Sequence, residues 1–295
     1  MQKGRIYKYD DEFKAKARKH QFDFRDNTLH ISYEENNPQV ILPPEAARQG
    51  LIFCHTYRKY IHDKIGLFTS SALFSNMLRS EHIPYNIFTP METDLTNTTN
   101  LFNEIIGGNI SRITGIFIEF AGYHDKSVYL NDRTAFDAFI EYKSSDGQNN
   151  GIGIEVKYTE NSYPLGIKER KDIENPNGLY QFVTKKCGYY NNDMDITMFL
   201  QANHLRQIWR NHILGFAMIL HGDINHFHHI HLYPRQNKHF HDYALPEYES
   251  LLSNKGKDSF IELTYEKFFK LLTKNFTSTK QKEWTNYLYK RYLDL

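Results

Sequence analysis

Three stretches in the middle of the chain carry the pattern of strands. Residues 113–121 are β-branched and aromatic, and residues 133–142 and 151–158 repeat that character. Between the last two lies Ser144-Ser145-Asp146-Gly147-Gln148-Asn149-Asn150, a turn-rich stretch. The second and third runs therefore read as an antiparallel hairpin folded about Gly147, with the first run as its neighbour.

Helical spacing surrounds this core. A short helix is predicted over 11–20, and another over 44–63 with Pro44 in its first turn, where a missing N–H costs nothing. Ser70-Ser71 caps a third that runs to Leu78. Residues 93–106 place Leu95, Leu101, Phe102, Ile105 and Ile106 at helical spacing and stop at Gly107-Gly108. Residues 86–90 read as an extended piece ending at proline. Residues 159–192 have no clean period beyond a short helix at 179–184. Residues 197–220 form the best helix of the second half, with Phe199, Leu200, His204, Ile208 and Trp209 on one side. Its apolar end, 213–220, also suits a separate strand. Residues 227–233 alternate like a strand and stop at Pro234. Two hydroxyl-capped helices, from about Thr264 and Ser278, close the chain.

Composition narrows the class. The 295 residues carry a formal net charge of +1, which argues against a protein that coats nucleic acid nonspecifically. A local basic cleft is still compatible with that balance, because active-site carboxylates offset basic residues elsewhere. Tyr and Phe number 21 each, and tyrosine suits half-wet surfaces that grip a polymer. Cys54 and Cys187 are the only cysteines, too few for a disulfide framework. The first residues are polar, and the longest apolar stretch, 213–220, falls far short of the ~20 residues a membrane span requires. The expectation is a cytoplasmic protein with no membrane anchor.

The chemistry sits on the hairpin. Residues i and i+2 of a strand share a face, so Glu155 and Lys157 project together while Ile154 and Val156 point into the core. With the hairpin folded about Gly147, position 137 lies across from roughly 157, and Asp137 reaches the same patch. Two carboxylates hold Mg²⁺, a hard ion that prefers oxygen ligands. The metal lowers the pKa of bound water and neutralises charge growing on a phosphate. A lysine beside them orients the attacking water or stabilises pentavalent phosphorus. Such an arrangement suits phosphodiester hydrolysis.

Asp137, Glu155-Val156-Lys157 and the order of the two strands resemble the PD-(D/E)xK superfamily, the fold of most restriction endonucleases. Further segments, among them Ile118-Glu119-Phe120, Asp132-Arg133-Thr134 and Gln207-Ile208-Trp209-Arg210-Asn211-His212, resemble a bacterial group of restriction-endonuclease-like proteins over roughly residues 68–272. The resemblance implies an α/β (α+β) fold with a mixed central sheet flanked by helices. Residues 67–250 would form the nuclease core. Residues 1–66 would form a helical, DNA-contacting extension, and residues 251–295 helices packed on the core. It implies Asp137 and Glu155 as Mg²⁺ ligands, with Mn²⁺ as a substitute, and Lys157 as the residue that activates water. Phe136 stands where the superfamily's name has proline. The superfamily often adds a glutamate, for which Glu119 and Glu104 are rival candidates.

Phosphate contacts are expected from Arg133, Arg210, Lys168 and Arg170, each of which also suits an ordinary surface position. The implied partner is double-stranded DNA, cut in a restriction or anti-phage role by a homodimer matched to palindromic sites. The alternatives are an inactive DNA-binding or scaffold protein of the same fold and an RNA or repair nuclease. A histidine cluster competes for attention: His221, His226, His228, His229 and His231 with Asp223, followed by His239 and His241. Such pairs can bind Zn²⁺. Surface histidines along an edge strand are the plainer account.

Overall fold

The computed structural model describes residues 7–31, 40–161, 167–191, 197 and 200–294. Its helices are α1 (Glu12–Asn27), α2 (Pro44–Arg48), α3 (Arg58–Ile65), α4 (Ala72–Ser75), α5 (Ile83–Met91) and α6 (Leu95–Ile106), then α7 (Ile167–Glu174), α8 (Leu179–Cys187) and α9 (Arg206–His221). They continue with α10 (Leu245–Ser250), α11 (Asn254–Ser259), α12 (Tyr265–Asn275) and α13 (Thr279–Tyr292). Five strands, β1 (Ile110–Phe120), β2 (Phe136–Ser144), β3 (Asn149–Val156), β4 (His226–Tyr233) and β5 (Phe260–Thr264), form one sheet in sequence order. β1, β2 and β3 pair antiparallel, and β3, β4 and β5 pair parallel. The result is a mixed sheet flanked by helices, an α/β fold.

Each face of the sheet builds its own core. Ala138, Ile140, Ile152, Ile154, Val156, Ile230, Leu232 and Leu263 pack against α1, α5, α6, α12 and α13. Phe139, Phe227, Tyr233 and Phe260 pack against α8, α9 and α10 on the other side. Strands covered on both faces read as near-continuous apolar runs, which explains the composition of β3. Close approach of α9 depends on Gly215, where a Cβ would meet the Phe227 ring at 2.1 Å. Among the described residues no helix is long and apolar enough to cross a membrane.

Several sequence expectations need correction. The hairpin register is Ala138↔Ile154 through Lys143↔Asn149, which places Asp137 in line with Glu155, not with 157. The turn centres on Asp146: Gly147 N–H donates to Ser144 O at 2.9 Å, and Ser144 N–H to Gln148 O at 3.1 Å. Residues 86–90 are helical, not extended. Pro90 supplies no N–H to the carbonyl four residues back, and the Trp284 indole donates to that Asn86 carbonyl instead, at 2.8 Å. The helix expected over 44–63 is two helices, α2 and α3, broken where Gly50 adopts φ +65°. The stretch 213–220 stays helical within α9. β4 is an interior strand, because β5 covers its outer edge. His229 and His231, on the sheet face where His212 of α9 and Phe240 pack, are fully buried rather than lying on a surface edge.

Candidate active site

Asp137 leaves β2 and Glu155 sits near the end of β3. Their register puts both side chains on the face under α9. Lys157 follows two residues later and stays in phase because its N–H extends the ladder to Leu232 O at 2.8 Å. The three groups are held together. Lys157 Nζ lies 2.5 Å from Glu155 Oε1, and Asp137 Oδ2 accepts the Val156 N–H at 2.7 Å.

Two amides from the first turns of α9 complete the cluster. Gln207 Nε2 donates to Glu155 Oε1 at 2.6 Å, and its Oε1 accepts from Lys157 Nζ at 2.9 Å. Asn211, one helical turn on, donates to Glu155 Oε2. Glu155 is only 1% exposed, and a buried charge of this kind is tolerated only when its oxygens have donors. Sequence reasoning left Gln207 and Asn211 out of the site. Their i, i+4 amide spacing was visible, but nothing local said which strand it faces.

These side chains line a cleft of about 380 Å³ together with Glu119, Arg79, Glu81, Arg133, Glu160 and Arg210. Burial, and then the neighbouring Glu155 charge, push the Asp137 carboxyl well above its usual range. Burial works against the charge of Lys157, but the Glu155 and Asp137 carboxylates outweigh it and hold the ammonium above its usual pKa. Glu119 is raised by desolvation and by Glu155 and Glu81. It also adopts φ +54° at the end of β1, a left-handed conformation that costs a non-glycine residue energy and collects at functional sites.

The other expected residues divide. Arg133 is exposed at the cleft rim. Arg210 lines the cleft, but its guanidinium is engaged with Asp132 Oδ2 at 2.6 Å, Thr134 Oγ1 at 3.0 Å and the Tyr180 hydroxyl at 2.9 Å. Those contacts tie the β1–β2 connection to α8 and α9. Arg170 lies on α7, with Nε 3.8 Å from Glu174. The side chain of Lys168 lies outside the described residues. Glu104 is on α6, paired with Lys274 at 2.7 Å and Asn275 at 3.2 Å, and does not line the cleft. Tyr158 packs in the opposite core and accepts from Gln21 at 3.1 Å.

The donor set fits a hard divalent cation. Asp137, Glu155 and Glu119 offer only oxygen, and each raised carboxyl owes part of its shift to repulsion by its neighbours, which a dication relieves. Of the histidine cluster, His229 and His231 pack near Phe260 and Phe240, away from the cleft lining.

A search of curated proteins and of solved structures yields no match to this chain. A family model described as the PD-(D/E)XK nuclease superfamily matches residues 8–294. That span takes in every strand of the sheet as well as Asp137, Glu155 and Lys157, and the chain therefore belongs to the PD-(D/E)XK nuclease superfamily.

Proposed function

We propose that the chain is a Mg²⁺-dependent endonuclease that hydrolyses DNA phosphodiester bonds, with Mn²⁺ able to substitute. The observation that carries this reading is the meeting of Asp137, Glu155 and Lys157 in one cleft, with Lys157 Nζ 2.5 Å from Glu155. Asp137 and Glu155 would hold the cation, with Glu119 as a third oxygen donor. Bound there, Mg²⁺ would supply an acidified water and a positive charge against the scissile phosphate.

The chain's own residues divide the remaining work. Lys157, kept protonated by its two carboxylates, donates hydrogen bonds to the attacking water or to a phosphate oxygen as negative charge grows. Gln207 and Asn211 lock Glu155 in one rotamer, so its orientation is set before substrate arrives. Arg133, exposed at the rim, reaches for a flanking phosphate. Double-stranded DNA as substrate, a restriction or anti-phage role and a homodimer with two such clefts follow from the resemblance to restriction endonucleases.

The test uses the purified full chain with plasmid and phage DNA in Mg²⁺, in Mn²⁺ and in EDTA. Cleavage in either metal that is lost in EDTA supports the reading, and discrete bands indicate sequence specificity. DNA binding without cleavage in both metals would replace it with a binding module. Cleavage of RNA alone would move the substrate class.

A further inference from the structure

At the far end of α9 from the cleft, a second cluster of metal-binding side chains converges. We propose that His124, His221 and Asp223 form a binding site for a transition-metal dication of the zinc class, separate from the carboxylate cleft. His221 is the last residue of α9, and Gly222 ends the helix at φ +88°. The end is a Schellman arrangement: Asp223 N–H donates back to Met218 O at 3.0 Å and Gly222 N–H to Ile219 O at 3.0 Å. That cap fixes His221 and Asp223 on one side of the helix end. His124 arrives from the connection between β1 and β2.

The geometry is that of ligands more than of a chance ion pair. One donor atom from each of the three residues lies within 4.8 Å of the other two. Asp223 Oδ1 is 3.1 Å from His124 Nε2 and 3.0 Å from His221 Nδ1. Zinc–nitrogen bonds of ~2.0–2.1 Å in a tetrahedron set donors about 3.3 Å apart, close to both distances from Asp223 Oδ1. The two imidazole rings stand 4.5 Å apart, both turned to the same carboxylate oxygen.

The outer contacts suit a ligand as well. The Tyr129 hydroxyl donates to the other oxygen, Asp223 Oδ2, at 2.5 Å, and leaves Oδ1 as a single donor with a fixed direction. The imidazoles of His124 and His221 are 50% and 35% exposed, so a fourth position faces solvent. The donor chemistry separates the two sites: the cleft offers carboxylate oxygen, suited to Mg²⁺, and this cluster offers two nitrogens and one oxygen, suited to Zn²⁺ or Co²⁺. Ten residues of helix, about 15 Å, separate Asn211 from His221.

Occupancy would clamp the β1–β2 connection to the end of α9. The same connection carries Arg133 and Thr134 at the cleft. The bound metal therefore acts as a brace, and its signature is stability.

The experiment titrates Co²⁺ into the full chain, purified without a histidine tag, and follows visible absorption and thermal unfolding. One nitrogen-ligated Co²⁺ per chain is expected, its low-coordinate band separate from any oxygen-ligated Co²⁺ in the cleft, displaced by equimolar Zn²⁺ and retained in Asp137→Ala. His124→Ala and His221→Ala, both changes at exposed side chains, should lose the band and the rise in Tm that Zn²⁺ brings. Tyr129→Phe should weaken binding by roughly tenfold. Absence of the band in the unaltered chain would overturn the proposal. So would its persistence in both histidine variants, or an equal Zn²⁺-induced rise in Tm in His124→Ala.

Discussion

Glu155 and His231 are register partners on adjacent strands, and both are buried, at 1% and 0% exposure. The fold treats them in opposite ways. Glu155 has Gln207, Asn211 and Lys157 arrayed around its two oxygens. Among the described residues, neither ring nitrogen of His231 or of its strand neighbour His229 has a hydrogen-bond partner. Their rings pack on aromatics instead: His231 lies 4.7 Å from Phe240, and His229 stacks on Phe260 at 5.4 Å. Burial lowers His229 to about 3 and holds His231 well below its usual pKa. A carboxylate in the interior needs donors around its oxygens, while an imidazole can shed its proton and be buried as a ring. The first arrangement is built for charge chemistry, and the second contributes packing.

The largest effects should fall on the charged side of this contrast. Asp137→Ala and Lys157→Ala are each expected to lower DNA cleavage by about 10²- to 10⁴-fold while leaving DNA affinity within roughly tenfold. Cleavage assays beside gel-shift titrations read both quantities, and an unchanged rate in either variant removes that residue from the mechanism. Next in size are the residues that orient Glu155. Gln207→Ala and Asn211→Ala should each cost about 10- to 100-fold in rate or in Mg²⁺ affinity. A rate unaltered at every Mg²⁺ concentration would make these amides mere packing.

Acid should act on the neutral side. An unfolded histidine takes its proton near pH 6.5, whereas His229 does so only near 3 and His82, His212 and His231 are also held well below 6.5. Between those values the unfolded chain binds more protons. The stability these groups allow is therefore complete above about pH 6.5 and is lost as pH falls, by about 1.4 kcal/mol per pH unit for each group. Asp137 and Glu119, raised in the fold, pull the opposite way, but the four histidines outnumber them. Urea midpoints measured from pH 7.5 to 5 should therefore still decline, and a flat profile in Asp137→Ala would contradict the neutral burial. The smallest effect is expected from His229→Phe. It removes two unpartnered nitrogens, keeps the stack on Phe260 and should change stability by only about 1 kcal/mol while shallowing the acid decline. A loss of several kcal/mol would show that a His229 nitrogen does have a polar role.

Much of this was legible in the chain. The alternation around Asp137 and Glu155-Val156-Lys157 placed the acids and the amine on adjacent strands and one face. Asp94, Thr264 and Ser278 cap their helices, and the last two were visible as hydroxyls before apolar-periodic runs. Other features were hidden for physical reasons. β5 is five residues long and runs directly into α12, so no turn signal separates strand from helix. His229 and His231 of β4 read as surface because the residues that cover them, His212, Phe260 and Phe240, come from other elements that no local pattern places there. Residues 86–90 read as extended from Pro90, and only Trp284, 198 positions away, supplies the bond that lets the helix accommodate it.

What the sequence alone determined is the local part: the strand pair, its faces, the helix caps and the three residues offered for catalysis. Side-chain period and turn chemistry are properties of a few neighbouring residues, and they can be read from any stretch of chain. The tertiary structure decided which distant groups meet. It brought Gln207 and Asn211 to Glu155 across 52 and 56 positions, His124 to the end of α9 and β5 to the edge of β4. Those meetings depend on how a helix such as α9 seats on the sheet, through contacts as particular as Gly215 against the Phe227 ring, and no local pattern encodes them.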